Sequence, residues 1–191
     1  MSETGLYAPG VPEMRDYGNG HHPPEWSGPP EMVGGYVMGP LLMSQSDRVV
    51  VAVRQVLAFP TGVEADVEGH ARGQRTGPPR EQRDLAEHPS LRFRVQFADG
   101  TQAAQDDEAG LRSGRGPTLF VRGFESSSGG PDGGEDIRMT LWIWPLPPPG
   151  PVTLACSWPS RGLDEAAVIL DAAAVRAAAS QAQPFWPSSE T

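Results

Sequence analysis

Apolar and polar positions alternate with a period of two along much of this chain, which is the signature of half-buried strands. Val63, Ala65 and Val67 interleave with Glu64, Asp66 and Glu68, and Leu91, Phe93, Val95 and Phe97 with Arg92, Arg94 and Gln96. Arg48 to Phe59 is a longer β-branched run that Pro60-Thr61-Gly62 turns back. Further strands are expected over Thr118 to Phe124, Ile137 to Trp144, Val152 to Trp158 and Ala166 to Leu170. Ala98-Asp99-Gly100 is a tight turn signal. Asp171 is placed to cap an alanine-rich helix over 172–183, with Val175, Ala178, Ala179 and Ala182 on one face and Pro184 as its stop.

Seven or eight short strands with one terminal helix predict an all-β fold, an immunoglobulin-like antiparallel β-sandwich, with an open barrel as the alternative. The opposite charges of 64, 66, 68 and of Arg92 and Arg94 suggest that these two strands pair, with 72–89 as their connection. Residues 1–45 are rich in Pro and Gly and hold no sustained period, so they read as a disordered acidic tail, although Met38 to Met43 is apolar enough for an edge segment. The domain is expected over 46–187 and a second disordered end over 188–191. Arg48 to Phe59, as the first strand, is a candidate for edge-to-edge pairing in a dimer, blunted by Arg48 and Arg54. The oligomeric state is otherwise open.

Charge narrows the classes of partner. The chain has 191 residues and a net charge of -9, and all 15 of its basic residues are arginine. An acidic surface repels phosphate, so nucleic acid and anionic membrane surfaces are disfavoured. One cysteine, Cys156, forms no internal disulfide and fits a reducing compartment. Met1 to Gly10 lacks the basic and apolar regions of a secretory signal. The uncharged stretch 141–158 is interrupted by prolines and does not make a membrane helix. A cytoplasmic location is expected.

The run Trp142-Ile143-Trp144-Pro145-Leu146-Pro147-Pro148-Pro149-Gly150-Pro151 is the most distinctive motif. With Phe59-Pro60-Thr61-Gly62-Val63, Phe97-Ala98-Asp99-Gly100, Trp158-Pro159, Gly162, Glu165 and the late Trp186, it resembles a group of uncharacterised actinobacterial proteins. The likeness spans roughly 48–187 and implies no activity, because none is known for the group. The lysine-free, arginine- and alanine-rich composition suits a GC-rich genome.

Candidate chemistry is sparse. Arg138, Thr140, Trp142 and Trp144 share one face of their strand, so Trp142 and Trp144, with Arg138, are the candidate binding platform for a protein, a peptide or a sugar. The competing reading buries both rings beneath the C-terminal segment, beside Phe185 and Trp186. Pro145-x-x-Pro148 has the spacing of a polyproline ligand or is simply a rigid connection. His21, His22, His70 and His88 have no metal-ligand spacing, and no metal or cofactor is expected. Asp106-Asp107-Glu108 and Glu135-Asp136 read as solvated loop acids, and Cys156 as an inert core thiol. The leading expectation is a non-catalytic β-sandwich that binds a protein. The alternatives are a hydrolase built on Asp66, Asp99 or His70, and a carbohydrate-binding module using Trp142 and Trp144.

Overall fold

The computed structural model describes residues 25–73, 91–105, 107, 110, 116–129 and 133–186. The fold is all-β. Twelve strands are described: β1 (Met32–Val33), β2 (Gly35–Met38), β3 (Leu41–Gln45), β4 (Val49–Phe59), β5 (Gly62–Ala71), β6 (Arg92–Gln96), β7 (Gln102–Ala104), β8 (Thr118–Gly129), β9 (Gly134–Trp144), β10 (Pro151–Trp158), β11 (Leu163–Asp171) and β12 (Gln183–Pro184). One α-helix, α1 (Ala172–Ala179), follows β11.

The strands form two main antiparallel sheets. The first has the order β2-β4-β5-β9-β8, with β3 also on β4; the second has the order β11-β10-β6-β7. A two-residue ladder joins β1 to β12. The inward side chains of both sheets meet in one core: Val51, Val53, Val63, Val67 and Leu141 from the first, Phe93, Val95, Leu154 and Trp158 from the second. Trp158 can lie flat on the first sheet because residue 69 is glycine. A Cβ there would come within 2.9 Å of the indole ring. The helix closes one side of the sandwich with Ala172, Val175, Ala178 and Ala179, all buried in the same core. Asp171 caps it as expected, accepting a hydrogen bond from the Ala173 N–H at 2.9 Å.

Several expectations are corrected. Strands β5 and β6 do not pair: β5 lies between β4 and β9, whereas β6 lies between β10 and β7. The acids of β5 instead face Arg138, Thr140 and Trp142 on β9. The stretch 25–45, expected within a disordered tail, carries β1 to β3: β4 offers its free backbone edge to β2 and β3, and β1 pairs with β12. For the same reason β4 is no dimerisation edge. The rest of the expected tail, 1–24, and the expected disordered end, 188–191, lie outside the described residues. Phe185 and Trp186, expected to pack beside the tryptophans of β9, are exposed. The helix ends at Ala179 rather than 183.

Glu135 is also not a solvated loop acid. It is buried in β9 and bonded by Arg161 at 2.8 Å, with only 3% and 8% of the two side chains exposed. Arg161 follows β10 in a 3-10 turn, and its guanidinium also donates to the carbonyls of Gly73 and Gly133, at 2.6 and 3.2 Å. It therefore ties the end of the second sheet to two strands of the first. Removing one partner of a buried pair leaves an uncompensated charge. Arg161→Met should cost about 3–5 kcal/mol in urea unfolding. The double variant Arg161→Met/Glu135→Leu should recover part of that loss, though not all, since two carbonyls remain unpaired.

Candidate functional site

Among the described residues, polar side chains gather most broadly on the outer face of the first sheet. In an antiparallel ladder directly opposed residues point to the same face, so the register assembles rows across the strands. His70, Asp136 and Ser127 form one row over β5, β9 and β8. Glu68, Arg138 and Glu125 form the next, then Asp66, Thr140 and Gly123, then Glu64, Trp142 and Phe120.

Most of this face is bound to itself. Asp66 accepts from Gln55 Nε2 at 2.7 Å and from the Thr140 hydroxyl at 2.8 Å. Arg54 approaches Glu68 at 3.5 Å. His70 donates from Nδ1 to Asp136 at 2.7 Å, with Nε2 3.8 Å from Glu68. Arg138, exposed, stands in register between Glu68 and Glu125. An open polar depression of about 400 Å³ lies beside this end, lined by Ala71, Ser127, Ser128, Gly134, Glu135 and Asp136.

The serine, histidine and aspartate there are not a catalytic triad. The acid sits between the other two. Neighbouring strands lie about 4.8 Å apart, so His70 and Ser127 are separated by nearly 10 Å of sheet. Activation of a serine needs hydrogen-bond reach of its base. The hydrolase candidates are not brought together either. Asp66 and His70 stand four residues apart on one strand, roughly 13 Å. Asp99 belongs to the β6–β7 turn of the other sheet, where Thr101 donates to it from its hydroxyl and its N–H, holding its carboxyl below the usual range. Cys156 is buried, and that burial pushes its thiol up to about 11, an inert state. Among the described residues no group of three His, Cys, Asp or Glu is placed to hold a metal ion. His21, His22, His88, Asp106 and Glu108 lie outside them.

The tryptophans are the second feature. Trp142 points to the outer face and yet is 0% exposed, so it presents no platform. Its ring meets Phe59 edge-on, with centroids 5.7 Å apart and planes at 69°. On the N-terminal side the 3-10 turn Glu25–Ser27 lies against β9. Gly28 abuts Arg122 and Gly34 abuts Phe59. Trp144 is half-buried, with Gly116 close to its ring. The proline run after it is the crossover from β9 to β10. Pro147 is buried, and its carbonyl accepts from Arg176 at 3.3 Å, so this is a connection rather than a displayed ligand.

Glu64 sits where the two features meet. Arg122 bonds it at 2.9 Å, and its side chain is 17% exposed. Burial raises its carboxyl above the ordinary 4.5, against the lowering effect of Arg122, and Asp66 adds to the rise. Sequence reasoning missed Glu64, Arg122 and the segment above them, because no local pattern shows which distant residues share a sheet face.

These observations define an all-β domain with a largely self-paired polar sheet face and, beside it, a buried aromatic pair, Phe59 and Trp142, next to the chain's own N-terminal segment. Among the described residues no helix is long and apolar enough to cross a membrane. No protein-family model, no curated protein and no solved structure matches the chain.

Two measurements check this site. Trp142→Ala should destabilise by about 3–5 kcal/mol, as for a buried aromatic ring, and Trp144→Ala by less, both read by chemical denaturation. For Glu64, a raised folded-state pKa means that the native protein holds this proton more tightly than the unfolded chain does. Its ionisation therefore costs stability as pH rises from about 4.5 upward. Glu64→Gln removes that slope, so its stability relative to wild type should improve as the pH rises above about 4.5.

Proposed function

We propose that this chain is a non-catalytic β-sandwich module of immunoglobulin type that works by binding another protein. The sheet orders β4-β5-β9-β8 and β11-β10-β6-β7 support that type, since they correspond to A-B-E-D and G-F-C-C′ of the immunoglobulin sandwich. The binding reading is carried by one observation: the buried aromatic pair Phe59 and Trp142 lies on the outer face of the first sheet, under the chain's own N-terminal segment rather than under a second layer of strands. Fold alone does not supply a function, and such sandwiches serve many. The acidic composition supports a protein partner over nucleic acid or an anionic membrane, and the single cysteine supports a cytoplasmic setting. Kinship with the actinobacterial group remains part of this proposal and adds no activity to it.

Hydrolysis is the second reading. It is favoured by Glu64 and Asp66, two carboxyls on one strand face, the first raised by burial and the second held by two donors. The full-length chain, used as bait in a pull-down from its host, should retain one protein that binds again when purified, at a fixed stoichiometry in sedimentation. No such partner, together with hydrolysis of a glycoside or ester panel that is lost in Glu64→Gln and Asp66→Asn, would transfer the assignment to an enzyme.

A further inference from the structure

We draw no further inference here: the strongest candidate, the outer face of the second sheet around Thr153 and Ala167 with the exposed Ile169 on its edge strand β11, is an unpartnered face, and nothing in the structure shows what covers it.

Discussion

Strand β9 is apolar on both faces over Leu141 to Trp144, and a strand of that kind must be covered twice. On the inner face Leu141 and Ile143 are sealed by the second sheet, whose Trp158 reaches across to Gly69. On the outer face Trp142 is sealed by the segment ahead of β2. Burying an aromatic side chain of this size is favourable by about 1.5–3 kcal/mol. That gain holds an otherwise irregular stretch of glycine and proline on the sheet. The sandwich and its strap are thus two answers to one requirement. The proline run that follows Trp144 serves the first of them, because it stops the ladder and turns the chain into the second sheet.

Charge is managed in two ways. Where the sheets close at the end of β10, Arg161 and Glu135 are buried together, and the remaining donors of the guanidinium find the carbonyls of Gly73 and Gly133. The desolvation cost of such a pair is offset only when its hydrogen bonds are made, and here two strand ends and a turn are ordered by making them. On the open face the pairs are exposed and contribute little each, about 0–1 kcal/mol. Their effect is on specificity: they leave Asp66, Glu68, His70 and Asp136 engaged with neighbours in the sheet.

The strands were legible in the sequence, and their partners were not. Alternation in 63–68 and 91–97 tells which side chains face the core, and the structure agrees: Val63, Ala65, Val67, Phe93 and Val95 are buried. Alternation does not tell which strand lies alongside. The acids of β5 and the arginines of β6 look complementary, yet the connection between them carries the chain to the other sheet, and Arg94 meets Glu165 instead. Strands β1 to β3 were hidden for a different reason. They are held by backbone bonds to β4 and β12, which leave no hydrophobic period to read. Glu135 was misjudged because it follows Gly133 and Gly134 and precedes another acid. The residue that justifies its burial is Arg161, far along the chain and on the opposite sheet. Of the candidate platform, Trp142 was recognised as important on the correct face, but only the fold could show that the face was already occupied.

That occupation changes how Glu64 should be read. A carboxyl raised by burial beside a second carboxyl invites an acid–base assignment. Here part of the burial has an identifiable source, since its guanidinium partner Arg122 is the residue Gly28 rests against. The same cover that perturbs the carboxyl also closes it off, so the shift reflects packing rather than an approach route for substrate. A catalytic carboxyl must meet both conditions, a tuned proton and access to a reacting atom. Glu64 meets the first through its burial, and with only 17% of its side chain exposed and Arg122 bonded to it, it meets the second poorly.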